Sequence, residues 1–396
     1  MSSKVKSNIK ALTGNSVAAL GAALSRPDLI AAYPITPQSS VVESLSSMIA
    51  NGELDSTMIQ VESEHSAMSV VQGAAMAGGR TFTATSAQGL ALMYEPYFRM
   101  STLRLPMVMA LATREMTSPE TVWSGQQDAM SVRDAGWMQV YVENNQEIID
   151  MIIQGYKIAE NKDVLIPINV CYDGFYLSHL TERVEIPFQE DVDDFLPKYK
   201  SDHVKLDPKY PMAVDPLTPG AILWKYRANH LQGMQKALDV IEEVNDEFEH
   251  KFGRSYGGAV DTYRLEDADI AVVTIGSMTG TAREAVDIMR EKGYKVGLLK
   301  VRFLRPFPAK KIREALSNKK AFVVVDRSVS FGWNTGVLYT EVKAAISDLC
   351  EKMCSMSVIG GLGGADISLK GLLSSFEKII EASKTTTGQV ETYWLE

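Results

Sequence analysis

Cysteine is scarce in this chain: Cys171, Cys350 and Cys354 are the only three among 396 residues. Three thiols cannot build a disulfide framework, nor a four-ligand zinc or iron-sulfur site, so any metal centre this protein serves is expected elsewhere. Cys350 and Cys354 lie four apart in a helical pattern, which predicts two buried helix residues. Basic clusters are equally sparse, none longer than Lys310-Lys311 or Lys319-Lys320, and the formal net charge is -9. That balance argues against nucleic acid as a partner, because phosphate affinity rests on clustered cations. No apolar run approaches the roughly 18 residues of a membrane span. The opening MSSKVKSNIK lacks the apolar centre of a signal peptide, so the expectation is a cytoplasmic protein that does not engage a membrane. Several catalytic signatures are missing as well. GSMTG (276–280) and GGLGG (360–364) complete neither dinucleotide nor P-loop patterns and read as strand-to-helix turns, with backbone phosphate binding the lesser reading. Without G-x-S-x-G, H-E-x-x-H or a kinase set, hydrolase, metalloprotease and kinase readings have no support.

What is present is a long, ordinary globular composition, 45% apolar and 22% charged, enough for two or three domains. Apolar runs at 29–33, 57–63, 80–86, 106–113, 137–143 and 164–173 read as strands. Between them, segments such as SVAALGAAL, EHSAMSVVQGAAMAGG, GLALMYEPYFRMSTL and NQEIIDMIIQGYKIAE carry helical apolar spacing. This alternation predicts a parallel α/β sheet. The small residues from Ala67 to Gly79 fit a core helix or a subunit interface equally. A charged, proline-containing stretch then leads to a polar helix near 228–251, and a second α/β unit starts near 266. The organisation expected is residues 1–182, a connector arm and helix over 183–258, and a second unit over 259–396.

Three places could carry chemistry. AAYPITPQSS (31–40) sets Thr36 between Pro34 and Pro37, and proline steers both itself and the residue before it away from helix. The result is a rigid corner at a strand end, where α/β proteins place ligand contacts. In VESEHSAMS, Glu62 and Glu64 stand where a strand gives way to a helix. One could reach a pocket while the other serves the helix N-terminus; neighbouring His65 has no second metal ligand at suitable spacing. Arg114 ends the apolar run MVMALATR, where it could grip a carboxylate with two parallel hydrogen bonds or pair with Glu115 or Glu120.

Taken in order, AAYPITPQSS, NGELDSTMIQVESEHSAMS, FTATSAQGLALMYE, NNQEIIDMIIQGYKIAE, CYDGFYLSH and LLKVRFLRPFP strongly resemble the alpha subunit of the 2-oxoacid:ferredoxin oxidoreductases, over about residues 8 to 380. The resemblance implies a pyrimidine-type thiamine-diphosphate-binding domain followed by a transketolase C-terminal-like domain. It implies oxidative decarboxylation of a 2-oxoacid to an acyl-CoA, with CoA as co-substrate and a ferredoxin or NAD-linked acceptor. The diphosphate and magnesium would lie on a beta subunit, and iron-sulfur clusters on beta, gamma and ferredoxin-like delta partners. The chain's lack of G-D-G with a distant asparagine agrees with that division.

Residue by residue, Glu64 matches the glutamate that meets N1′ of the aminopyrimidine, where a carboxyl group favours the tautomer that removes a proton. Pro34 and Ile35 match cofactor-lining positions, and Thr36 and Arg114 match positions that hold the substrate's carboxylate and carbonyl oxygen. One departure concerns the substrate end. Pyruvate-specific members often carry Asn-Asp-His-Gln-Asp after a tryptophan, whereas Trp123 is followed here by Ser124, Gly125 and Gln126. Gly125 is expected to free volume for a bulkier group, so an aryl 2-oxoacid such as phenylglyoxylate stands beside pyruvate as substrate. A non-redox thiamine-dependent decarboxylase or synthase, and a non-catalytic scaffold, are the alternatives.

Overall fold

The first sheet forms where apolar runs are longest. In the computed structural model, which describes residues 7–201, 203–349 and 353–395, strands Val108–Thr113 and Ile168–Asp173 are buried along their whole length. Helices cover both faces of such central parallel strands, which explains the unbroken apolar runs. Around them the strand order is Phe303–Arg305, Met138–Tyr141, Ile168–Asp173, Val108–Thr113, Thr81–Thr85, Leu29–Ala32 and Thr57–Gln60. All neighbours are parallel except the first pair.

Several elements differ from the expectation for physical reasons. The run GLALMYEPYFRMSTL makes two helices, Ala87–Leu92 and Tyr94–Thr102, broken at Met93. Pro96 falls in the first turn of the second helix, where a missing N–H costs no intrahelical bond. The arm contains a strand, Thr181–Pro187, paired antiparallel with Ser7–Thr13, and then a helix, Gly220–Phe252, of 33 residues. Burial along that helix starts only at His230, so its first turns carry no core-facing pattern for sequence reading to detect. Gly253 ends it at φ +70° and donates its N–H to the Glu249 carbonyl, a left-handed stop that glycine adopts without strain.

The second sheet runs Gly388–Gln389, Cys354–Ile359, Ala321–Asp326, Ile270–Thr274, Val296–Val301 and Val260–Tyr263, with Tyr393–Trp394 also on Cys354–Ile359. Here the expected helical Cys350–Cys354 pair is corrected. Cys354 opens a buried strand, because the alternation Ser355-Met356-Ser357 leads into β-branched Val358 and Ile359, while Cys350 lies outside the described residues. The apolar run over 294–304 also divides. Val296–Val301 stays in the second sheet, while Phe303–Arg305 joins the edge of the first, with Phe303 opposite Val140.

Arg302, between those two pieces, is buried and donates from Nε to Glu147 Oε1 at 2.8 Å. Lys300 Nζ reaches Glu147 Oε2 at 2.9 Å and Glu143 Oε2 at 3.0 Å. These cations hold the Glu147 carboxyl down to about 2, although burial pushes it the other way. The two sheets are therefore joined by one continuous run of chain that gives a strand to each, and by a buried ion cluster.

Candidate active site

The corner at residues 33–38 follows strand Leu29–Ala32 and precedes helix Ser39–Ala50. It is pinned from three sides. Asn15 Nδ2 donates to the Pro37 carbonyl at 2.6 Å, Gln38 Nε2 to the Ala84 carbonyl at 2.5 Å, and Arg114 Nη1 to the Thr36 carbonyl at 2.6 Å. Thr36 itself is exposed. Arg114 thus meets Thr36, but through main chain, leaving the Thr36 hydroxyl free of that bond. The guanidinium is 4% exposed, burial lowers its pKa, and its Nε has no partner among the described residues. Its contact with Glu120, at 3.4 Å, is with a side chain largely in solvent, where an ion pair contributes little.

Glu62 and Glu64 divide the two tasks that their spacing offered. Glu62 accepts a hydrogen bond from the Ser66 hydroxyl at the start of helix Glu64–Met76, and that bond lowers its pKa. Glu64 is 5% exposed, and burial raises its carboxyl above the usual range. Among the described residues no side chain donates to that carboxyl. His65 faces outward, 3.3 Å from Glu95. A Cβ added to Gly89 would fall 2.5 Å from Glu64 Oε1 and 2.5 Å from Thr85 Oγ1. The Thr85 hydroxyl is itself buried without a partner among the described residues. A carboxyl group biased towards its neutral form, an orphaned hydroxyl and a glycine wall share one corner, and this donor and acceptor set fits a nitrogen heterocycle.

The Trp123 to Gln126 loop is held by the second unit. Arg327 Nη1 donates to Ser124 Oγ at 2.8 Å, Gly364 N–H to the Ser124 carbonyl at 2.7 Å, and Gln126 N–H to the Arg327 carbonyl at 3.0 Å. Gln126 Nε2 also lies 3.4 Å from Asp173 Oδ1, and Asp173 accepts from Ser277. Both glycine-rich segments therefore serve as close-packed turns against this loop: a Cβ on Gly364 would meet Trp123 Cβ at 2.6 Å. The expectation that Gly125 frees volume is corrected. A Cβ there would lie 2.5 Å from Glu115 Oε1, so the room left by the glycine is filled by this chain's own carboxyl. Glu115 also accepts from Gly363 N–H at 3.4 Å, and burial raises its pKa.

Sequence patterns pointed to none of Asn15, Gln38, Asp173 or Arg327 as site residues, and offered Glu115 only as an ion-pair partner for Arg114. Their partners are far apart in the chain, which no local periodicity records. Gly89 alone left a signal, since glycine inside a helical run is costly without a packing reason.

Fold and corner together define a two-sheet α/β protein with a buried carboxyl group and a buried guanidinium gathered at strand ends. The family described as pyruvate flavodoxin/ferredoxin oxidoreductase, thiamine diphosphate-binding, matches residues 20–246, and pyruvate:ferredoxin oxidoreductase core domain II matches 268–372. The chain is 48% identical to the NADH-dependent phenylglyoxylate dehydrogenase alpha subunit of Aromatoleum evansii, covering 96% of this chain and 93% of that one. It is 45% identical to the pyruvate synthase subunit PorA of Methanocaldococcus jannaschii, over 96% and 97%. A 2-oxoglutarate:ferredoxin oxidoreductase from Magnetococcus marinus shares the fold at TM-score 0.73 and 21% identity; the match covers 94% of this chain and 65% of that one. This chain belongs to the pyruvate flavodoxin/ferredoxin oxidoreductase family. It is a subunit of a 2-oxoacid oxidoreductase.

Proposed function

We propose that this chain is the alpha subunit of a CoA-acylating 2-oxoacid:acceptor oxidoreductase and contributes the aminopyrimidine half of a thiamine diphosphate site. The observation that carries the reading is Glu64, buried without a side-chain donor and faced by Gly89 where any larger residue would collide. Bound thiamine diphosphate supplies the nucleophilic carbon and the electron sink for loss of carbon dioxide. Glu64, helped by Pro34 and Ile35, orients the pyrimidine and shares a proton with its ring nitrogen. Arg114 and the Thr36 hydroxyl hold the 2-oxoacid's carboxylate and carbonyl oxygen, and the desolvated guanidinium makes that grip stronger than it would be in water. Trp123, Ser124, Gly125 and Gln126 border the substrate end, held at a fixed position by Arg327.

The remaining half belongs to partners: a beta subunit with the diphosphate and magnesium site, and gamma and ferredoxin-like delta subunits for electron transfer through iron-sulfur clusters, all in the cytoplasm. Exposed apolar side chains on the elements framing the corner, Tyr33, Leu92, Tyr94 and Trp123, support a covered face, since large exposed apolar groups mark protein contacts when they gather. Residues 1–182 form the cofactor domain in this reading, 183–258 the arm, and 259–396 the transketolase C-terminal-like domain.

The test is turnover by the purified complex with pyruvate, phenylglyoxylate and 2-oxoglutarate, with CoA and a one-electron acceptor. Acyl-CoA and carbon dioxide are expected from at least one; release of carbon dioxide from none of them overturns the reading.

A further inference from the structure

Asp128 has no exposed surface and no role in the reaction described so far. Its carboxyl group receives three main-chain N–H groups. Ala87 donates to Oδ2 at 2.9 Å, Arg114 to Oδ2 at 3.1 Å, and Ala129 to Oδ1 at 2.7 Å. Two of those donors belong to opposite walls of the candidate site. Ala87 opens helix Ala87–Leu92, which carries Gly89 against Glu64. Arg114 sends its guanidinium to the Thr36 carbonyl.

The Ala87 turn cannot hold itself. Its φ is +39°, in the left-handed region that disfavours any residue with a Cβ. Ser86, which could cap the helix, instead donates its hydroxyl to the Ala112 carbonyl at 2.7 Å and makes no capping bond. The first N–H of the helix turns to Asp128. One carboxyl group therefore ties the turn that seats Gly89 over Glu64 to the peptide that starts Arg114.

We infer that Asp128 is a positioning residue whose carboxylate sets the separation between the Glu64 carboxyl and the Arg114 guanidinium. The inference rests on the roles proposed above for those two residues. Because Ala87 and Arg114 donate to the same oxygen, Oδ2, an asparagine that sets its amide oxygen there keeps both bonds and turns its NH2 only to the Ala129 N–H, whereas alanine removes the tie altogether. Alignment of a 2-oxoacid with the reacting carbon depends on both walls, and catalysis is sensitive to displacements of about 1 Å.

The experiment compares Asp128→Ala, Ala87→Gly and the double variant in the assembled complex, with Asp128→Asn as the conservative variant, measuring kcat and KM per bound thiamine diphosphate. Glu64→Gln is measured beside them. Asp128→Ala should lower kcat about 100-fold and raise the KM for the 2-oxoacid at normal cofactor content, while Asp128→Asn, which keeps an oxygen for both donors, should retain most of kcat. In the double variant glycine adopts the positive φ unaided, so part of kcat returns. KM stays raised, because Arg114 N–H still lacks its acceptor. Wild-type kcat and KM in Asp128→Ala overturn the inference. So does a loss of activity in proportion to lost cofactor at unchanged KM, and so does failure to assemble in both backgrounds. Full turnover by Glu64→Gln instead overturns the underlying site reading, whatever Asp128 does.

Discussion

Gly89 and Gly125 give way to different carboxyl groups, Glu64 in one case and Glu115 in the other. Alanine at 89 would ordinarily favour the helix by about 1 kcal/mol. Here its Cβ displaces Glu64, so Gly89→Ala should cut turnover of the complex by at least about 10-fold while the fold survives, read by kcat beside a thermal melt. Gly125→Ala should lower the melting temperature, and Glu115→Ala in the same chain should recover part of the loss, since the glutamate side chain is what the new methyl meets. Glu64→Gln separates chemistry from stability. Burial already disfavours the charged carboxyl, so the amide should leave the melting temperature unchanged or slightly higher while kcat falls about 100-fold or more. At this scale the sequence showed where chemistry could sit, because proline, glutamate and arginine at strand ends are local features. It could not show that Glu115 fills the space beside Gly125, or that Asp128 spans Ala87 and Arg114. Those facts exist only after distant segments pack.

Among elements, helix Asn145–Ala159 carries the buried anion of the interdomain cluster. Its Asn144 side chain caps the Glu147 N–H at 2.9 Å, while the Glu147 carboxyl accepts from Lys300 and Arg302. Neutralising Glu147 leaves buried Arg302 without a carboxylate among the described residues and Lys300 with Glu143 alone, so Glu147→Gln should lose about 3–5 kcal/mol at neutral pH by denaturant unfolding. The pH dependence has a definite sign. The folded value of about 2 lies below the ordinary 4.5, so the stabilisation is complete above about pH 4.5 and fades as pH falls towards 2. The difference between wild type and variant should narrow across that window; a constant difference would contradict it. Strand positions were legible because buried parallel strands write continuous apolar runs. The Phe303–Arg305 strand was not, since its three residues continue the preceding run without a break and only Arg302, held by Glu147, redirects the chain.

For the whole molecule, the continuous run that feeds both sheets and the ion cluster predict coupled behaviour. Calorimetry of the isolated chain should show one unfolding transition, whereas two resolved peaks would show that the sheets unfold independently. The isolated chain should also show no 2-oxoacid turnover until its partners are added, as half an active site requires. Gross architecture could be read from the alternation of runs, but the reach of the long helix could not. Residues 220–229 of Gly220–Phe252 face outward, and an outward face imposes no period on the sequence.

Strand Phe303–Arg305 also bears on how the polypeptide is made. Synthesis runs from the N-terminus, so the first sheet acquires its edge beside Met138–Tyr141 only after more than a hundred further residues have been translated. Until then the Met138–Tyr141 edge has open main-chain groups, which invite pairing with another chain. A nascent fragment stopped near residue 258 would have the helices that pack on the first sheet yet keep that edge bare, and clumping of such fragments on the ribosome is the hazard this topology carries.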